Sequence, residues 1–144
     1  VFKAAGFIDK ISVVREAEEA FKTGYVHAMH DPTEGGVLGG VFEMALASSL
    51  GFNLIEEEVP VASETRIVCD ALEVDPLKLI SSGVLLMAVD PDGVGVVEDA
   101  LKGMAVNVSR VGGFVEEGRF IFRTEGVEES VDEGVVDELW RLIE

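Results

Sequence analysis

Four glycines crowd the start of one predicted helix, and they constrain the fold more than any other feature of the sequence. Residues 31–40 read DPTEGGVLGG, and the glycines are Gly35, Gly36, Gly39 and Gly40. An Asp N-cap at Asp31, Pro32 at the first helical position and Glu34 at the third are typical of a helix start. Each glycine inside a helix costs about 1 kcal/mol relative to alanine. Some other contribution must offset that cost.

Two explanations of the glycines stay open. One is close packing of the helix on the sheet or on another domain. The other is a strand–loop–helix anion site, in which backbone N–H groups face a phosphate. The stretch lacks the Lys-Ser/Thr ending of a P-loop and the GxGxxG spacing. The carboxylate of Glu34 favours a helix cap or a ligand of a nucleotide-bound Mg²⁺, and the Thr33 hydroxyl is a candidate hydrogen-bond donor to a ligand.

The apolar periodicity predicts two β-α-β units. The first has a strand over 25–31, a helix up to Leu50 and a strand over 52–59; the second has a strand over 84–90, a helix over 95–101 and a strand over 105–111. Helices are also predicted at 13–22, 64–72, 75–80 and 131–143, and residues 116–118 are predicted as a hairpin turn into a strand over 119–124. The fold class is α+β, a mixed β-sheet packed with helices and partly ferredoxin-like. We expect one domain over residues 1–144.

Neither the histidines nor the cysteine predict a metal site or a nucleophile. His27 and His30 are three residues apart, so in a regular strand they point to opposite faces. We expect a partly buried His27; His30 is the better functional candidate because it ends the predicted strand. Cys69 lies in an apolar helical context and is predicted to be an inert core thiol. Ser81-Ser82-Gly83 is either a helix-ending turn or a ligand-contacting loop.

The charged-residue composition of the chain excludes some classes of binding partner. The 144 residues contain 28 Asp+Glu and 11 Lys+Arg, a formal charge of −17, which argues against nucleic acid because phosphate backbones require clustered cations. The acidic runs 56–58 and 125–138 are predicted as solvated surface. The longest apolar run is far too short for a membrane span. A single cysteine fits a reducing, cytoplasmic location, and a start at Val1 rather than Met suggests a piece of a larger protein.

Several segments together resemble a known family. Residues 26–37, VHAMHDPTEGGV, are similar to the corresponding segment of the hydrogenase expression/formation protein HypE. Residues 56–60, 69–77 and 83–89 follow in the family's order. Together they resemble the C-terminal domain of the aminoimidazole ribonucleotide (AIR) synthase superfamily, over roughly residues 10–124.

The resemblance implies a two-domain parent protein that uses ATP and Mg²⁺. Its N-terminal domain, absent from this chain, supplies most of the nucleotide-binding carboxylates and the dimer interface, whereas the C-terminal domain contributes a cleft loop. The HypE type uses ATP to dehydrate a cysteine thiocarboxamide to a thiocyanate during [NiFe]-hydrogenase maturation. The resemblance therefore implies partners among the maturation proteins and no tight ATP binding by this domain alone. The family's cleft-loop positions that match here are Asp31, Pro32, Thr33, Gly35, Gly36 and Gly83. His30 and Glu34 lie in the same loop and complete the set of predicted cleft residues.

Three departures keep alternatives open. The family's two arginines in the first segment are His30 and Glu34 here. In the family, an Asn-Glu-Gly sequence commonly precedes the buried strand that is predicted here over 84–90; this chain has Ser81-Ser82-Gly83 instead. The C-terminal cysteine that carries the thiocarboxamide in the HypE type does not follow Leu142. A non-catalytic HypE-related binding or assembly module, or another superfamily activity such as an AIR synthase-type cyclo-ligase, is the alternative function.

Overall fold

The computed structural model describes residues 11–143. Its contacts divide the chain into two compact units. Of the described residues, the first unit contains 11–31 and Ser82–Val108, and the second contains Pro32–Ser81 and 109–143. None of the helices in this part of the chain is both long and apolar enough to cross a membrane.

Helices and strands alternate along most of the described residues. The helices are α1 (Val14–Lys22), α2 (Gly36–Ser48), α3 (Ser63–Leu72), α4 (Val94–Lys102) and α5 (Glu138–Ile143). The strands are β1 (Val26–His30), β2 (Gly51–Ile55), β3 (Leu86–Val89), β4 (Gly112–Val115), β5 (Arg119–Phe122) and β6 (Glu128–Ser130). Short 3-10 helices lie at Glu56–Glu58, Pro76–Lys78 and Pro91–Gly93. The predicted α+β class with a mixed sheet is confirmed.

The first unit is built on an antiparallel pair of strands, β1 and β3. Helices α1 and α4 contact each other, and their buried residues Ala20, Val97 and Leu101 form the centre of the unit's core. The partly buried side chains that complete this core come from both strands and from the segment after α4: Val26, Met29, Met87, Val89, Met104, Val106 and Val108.

The second unit contains a four-stranded sheet in the order β4-β2-β5-β6. Strand β2 pairs antiparallel with β4 and parallel with β5, so the sheet is mixed. Helix α2 contacts β2, and its first seven residues, 36–42, are all buried. The first two turns of α2 carry no polar side chain and lie inside the core, whereas its second half, from Glu43, is mostly exposed. The largest fully buried side chains of this unit include Leu38, Phe52, Leu54, Leu77 and Ile121.

The two predicted β-α-β units are wrong as units, although their strand–helix–strand order is present. Strands β1 and β3 pair with each other, whereas β2 and β4 belong to the other sheet. Neither helix therefore connects two parallel strands of one sheet. Local periodicity predicts the elements, but the pairing of strands depends on contacts far apart in sequence.

The predicted hairpin at 116–118 is also wrong. Strands β4 and β5 do not pair, because β2 lies between them and pairs with both. Gly51 explains how the three backbones fit, since a Cβ on Gly51 would lie 1.9 Å from the carbonyl oxygen of Gly118. The Phe52 N–H donates a 2.9 Å hydrogen bond to that same oxygen. The turn thus wraps around the end of β2.

Two further element predictions need correction. The predicted closing helix over 131–143 is shortened to α5, because residues 128–130 form β6 on the edge of the sheet and the Val131 N–H bonds to the Arg119 carbonyl at 2.8 Å. The predicted strand over 105–111 does not form, and the next strand in the structure, β4, begins at Gly112. Val106 and Val108, the alternating apolar residues of the predicted strand, pack on the first unit's core without joining a strand ladder.

Candidate functional site

The glycine-rich helix begins at Gly36, not at the predicted Asp31. Gly35 is its N-cap and adopts a left-handed backbone with φ of 71°, and Gly36 follows with φ of 62°. Left-handed conformations favour glycine, because a Cβ would be strained there. Two such residues in succession prevent residues 32–34 from continuing as helix. Residues 32–36 therefore form a turn that leads into the first residue of α2, and we call this segment the glycine loop.

Close packing accounts for three of the four glycines. A Cβ on Gly36 would lie 2.5 Å from the Leu77 carbonyl oxygen and 2.6 Å from that of Leu79. A Cβ on Gly35 would lie 3.2 Å from the Val135 carbonyl oxygen, and one on Gly39 would lie 3.3 Å from the Glu34 carbonyl oxygen. The Leu77 and Leu79 carbonyls thus approach Gly36 too closely for a Cβ, and the contacts at Gly35 and Gly39 leave little room for one.

Asp137 holds the glycine loop from the far end of the sequence. Its side chain is only 4% exposed. One carboxylate oxygen accepts a 2.8 Å hydrogen bond from the Gly35 N–H, and the other accepts a 2.8 Å bond from the Leu139 N–H in α5. The sequence places Asp137 in the acidic run 125–138, and the prediction that this run is solvated surface is wrong for Asp137. An aspartate two residues before the apolar end of the chain signals a helix cap, but nothing local identifies a partner 102 residues away.

Ser81 holds the loop from a second side. Its hydroxyl donates a 2.6 Å hydrogen bond to the Pro32 carbonyl, and its N–H bonds to the Thr33 carbonyl at 3.2 Å. Pro32 is buried, whereas Thr33 and Glu34 are exposed. The loop therefore has a fixed backbone and presents two polar side chains, a hydroxyl and a carboxylate, to solvent.

The remaining predicted site residues, His30, Asp31 and Gly83, belong to the first unit. His30 ends β1 and is the register partner of Leu86 at the start of β3. Asp31, after β1, and Gly83, before β3, therefore lie at the same end of this strand pair. Both are exposed, and Gly83 has a positive φ of 90°, which supports the turn interpretation of Ser81-Ser82-Gly83.

His27 is exposed, so the expectation of a partly buried side chain is wrong. Its Nε2 atom lies 3.6 Å from a carboxylate oxygen of Asp90, and a β-bulge interrupts β1 between Val26 and Ala28. Within residues 11–143, no three His, Cys, Asp or Glu side chains are grouped as metal ligands would be.

Cys69 is the buried thiol that the sequence predicts. It is 1% exposed in α3. Burial raises the pKa of the Cys69 thiol, and the nearby carboxylates of Asp70 and Asp75 raise it further. A thiol that resists ionisation is a poor nucleophile. The structure thus assigns Cys69 to packing.

An ion-pair cluster that the sequence analysis missed centres on Arg123. The guanidinium lies 2.9 Å from a carboxylate oxygen of Asp75, 2.8 Å from one of Glu129 and 3.9 Å from one of Glu56. Burial opposes the charge of Arg123, but these hydrogen bonds and carboxylates outweigh it and raise the pKa of the guanidinium. The prediction that the acidic runs are solvated is wrong for Glu56, whose side chain is only 15% exposed.

Comparison with known proteins places this chain in one class, the C-terminal domain of AIR synthase-related proteins, whose family model matches residues 9–125. The chain belongs to this family. The predicted resemblance is confirmed, including the similarity to HypE: the carbamoyl dehydratase HypE of Bradyrhizobium diazoefficiens is 38% identical over 77 residues, which are 54% of this chain and 22% of that protein.

Solved structures agree with the sequence match. The crystal structure of E. coli HypE, a hydrogenase maturation protein, superimposes with a TM-score of 0.76 and 28% identity over 83% of this chain. A structure of HypE in complex with ATP shares the fold at a TM-score of 0.72 and 22% identity. The matched region is 39% of the E. coli protein and 40% of the ATP-bound one, so the chain spans well under half the length of these relatives.

Proposed function

We propose that this chain is the C-terminal domain of a HypE-type, ATP-dependent protein that acts in [NiFe]-hydrogenase maturation. The observation that carries the proposal is the match to E. coli HypE, which combines a TM-score of 0.76 with 28% identity over 83% of the chain. In this proposal the whole protein dehydrates a thiocarboxamide to a thiocyanate at the expense of ATP. The missing part of the active site lies in an N-terminal domain.

The glycine loop is the proposed contribution of this domain to the nucleotide and substrate cleft. Its backbone is held by Ser81 and Asp137, so it meets a ligand without having to become ordered first. The exposed Thr33 hydroxyl and Glu34 carboxylate fit a phosphate-bound Mg²⁺, which prefers oxygen ligands. A net charge of −17 makes a cation, or basic groups from another domain, necessary for holding phosphate.

The proposal includes the setting of the whole protein. The N-terminal domain is the first partner, and other hydrogenase-maturation proteins and a second copy of the protein are further ones. We place the protein in the cytoplasm. ATP and Mg²⁺ belong to the complete cleft, and we expect this chain alone to bind neither tightly.

A hybrid protein tests the proposal. The N-terminal domain of E. coli HypE would be joined to this chain ahead of residue 9, where the family match begins. We expect the hybrid to bind ATP and hydrolyse it, and the isolated chain to show no sub-micromolar affinity for ATP in calorimetry. A folded hybrid that binds ATP no better than the N-terminal domain alone would contradict the assigned role of the glycine loop.

Matched variants sharpen the test. Gly36→Ala distorts the loop because the new Cβ would meet the Leu77 and Leu79 carbonyls. Gly95→Ala is the control, since a Cβ at Gly95 in α4 has nothing within 4 Å. If the loop contributes to the cleft, the first change lowers ATP turnover by the hybrid and the second leaves it unchanged.

One observation favours a second candidate, a non-catalytic binding or assembly module with the same fold. Glu34 is exposed on the glycine loop, where its negative charge repels phosphate in the absence of a cation. Glu34→Arg in the hybrid distinguishes the candidates. A module that lost its chemistry gains ATP affinity from the arginine, whereas a loop that uses Glu34 toward Mg²⁺ loses Mg²⁺-dependent turnover.

A further inference from the structure

The hydrogen bond between Gly35 and Asp137 joins the glycine loop to the 131–143 segment. We propose that Asp137 is a positioning residue that holds the loop, and with it the exposed side chains of Thr33 and Glu34, in one conformation. The effect of Asp137 on the loop is independent of the proposed function. Only the consequence for nucleotide handling rests on that proposal.

The chemistry at Asp137 requires a carboxylate. Its two oxygens each accept one N–H, from Gly35 and from Leu139, at 2.8 Å. An asparagine has one acceptor and one donor, so it can satisfy only one of these N–H groups and faces the other with its own NH₂. Because the site is buried, an N–H that loses its partner is not compensated by water. Asp137→Asn therefore changes one atom and breaks one of the two bonds.

The geometry distinguishes positioning from simple capping of α5. A cap needs only the bond to Leu139, which is local. The second bond reaches the N-cap residue of α2, where Val135 also packs against Gly35 and Gly39. Ser81 fixes the other end of the loop through the carbonyls of Pro32 and Thr33. Glu34 lies in the sequence between these two anchored positions. Loss of either anchor should therefore increase the conformational freedom of the loop backbone at Glu34.

Amide hydrogen exchange measured by NMR on the 144-residue chain tests the proposal. We expect Asp137→Asn to speed exchange at Gly35 and its loop neighbours by roughly tenfold or more, the ratio that corresponds to about 1.4 kcal/mol. Exchange in β2 should stay unchanged. Asp132→Asn is the matched control, because Asp132 lies in the same acidic segment and, among residues 11–143, accepts a hydrogen bond only from the exposed Ser130 hydroxyl. Because the asparagine oxygen can keep either bond, Asp137→Ala, which removes both acceptors, decides between the roles: if it speeds exchange in α5 and leaves Gly35 unchanged, Asp137 is only a cap and the proposal is wrong.

A measurement on the unsubstituted chain covers the case in which the variant does not fold. The Gly35 amide should exchange slowly and show a scalar coupling across the hydrogen bond to the Asp137 carboxylate carbon. Rapid exchange at Gly35 without that coupling would overturn the proposal.

The functional consequence has its own readout. In the hybrid with the E. coli HypE N-terminal domain, Asp137→Asn should raise the KM for ATP while Asp132→Asn does not. A loop loosened in the exchange experiment with no change in KM would confirm that Asp137 positions the loop and would count against the loop's proposed role in the nucleotide cleft.

Discussion

The α-carbon of Gly36 faces the Leu77 carbonyl so closely that a Cβ built on it would lie 2.5 Å from the oxygen. The contact joins the first turn of α2 to the Pro76–Lys78 helix, 41 residues further along the chain. The left-handed φ of 62° at Gly36 adds a second reason for glycine. The close contact with the Leu77 carbonyl and the left-handed backbone thus both require glycine at the first residue of α2.

Gly36→Ala should therefore destabilise the protein strongly. A left-handed backbone costs a residue with a Cβ about 1–2 kcal/mol, and overlap with rigid neighbours adds about 1–3 kcal/mol. We expect urea denaturation to show the free energy of unfolding lowered by roughly 2–5 kcal/mol. Gly95→Ala, which meets nothing within 4 Å, should instead raise it by about 0.4–1 kcal/mol. Equal effects at the two positions would show that helix propensity, not packing, decides.

Ser81→Ala tests the other anchor of the glycine loop. The change removes the 2.6 Å hydrogen bond to the Pro32 carbonyl and leaves the backbone bond to Thr33 in place. We expect the free energy of unfolding to fall by about 1 kcal/mol, with faster amide exchange in the loop. Ser130→Ala is the matched control because its hydroxyl bonds only the exposed Asp132. A loss no larger than that of Ser130→Ala would show that the Ser81 hydroxyl does not stabilise the loop.

The sequence predicts elements whose signals are local. Asp75 and Asp90 each precede a proline, and each accepts a hydrogen bond from the N–H two residues on, which starts a 3-10 turn. Asp31 precedes Pro32 in the same way but caps no helix, because left-handed glycines follow at positions 35 and 36. The Asp-Pro dipeptide thus starts a 3-10 helix at two positions and no helix at the third. The difference is decided by packing, which is present only in the folded chain.

Contacts between distant residues could not be read from the sequence. The insertion of β2 between β4 and β5 depends on the close approach of Gly51 to the Gly118 carbonyl. The bond from Gly35 to Asp137 spans 102 residues. In their local sequence context, Gly35 is one of several glycines at a turn and Asp137 is one of several acidic residues in an acidic run, so neither indicates the other as its partner. The loop could be predicted as a candidate site from its composition and the family resemblance, whereas the groups that hold it could not.

Arg123→Met should destabilise the second unit because it leaves the carboxylates of Asp75 and Glu129 with only the more distant ammonium group of Lys78, 3.9 Å from each. Such a half-buried cluster lies between exposed pairs, which contribute little, and buried pairs, whose disruption costs several kcal/mol. We expect a loss of about 1–3 kcal/mol in urea denaturation, smaller at high salt because ions screen the exposed part. Lys102→Ala breaks the fully exposed pair with Asp99 and should change stability little. A loss that grows with added salt would contradict an electrostatic origin.

Cys69 should react with a thiol reagent such as a disulfide only after the chain unfolds. It is 1% exposed, and burial raises its pKa above the usual 9.0, so the folded protein holds little thiolate at pH 8. We expect the native chain to react orders of magnitude more slowly than the chain in urea. Since the folded pKa is the higher one, this group favours the folded state less as the pH rises above 9.0, where the unfolded thiol ionises first. Cys69→Ser should remove that alkaline loss; a stability that falls equally above this pH in both proteins would assign the loss to other groups.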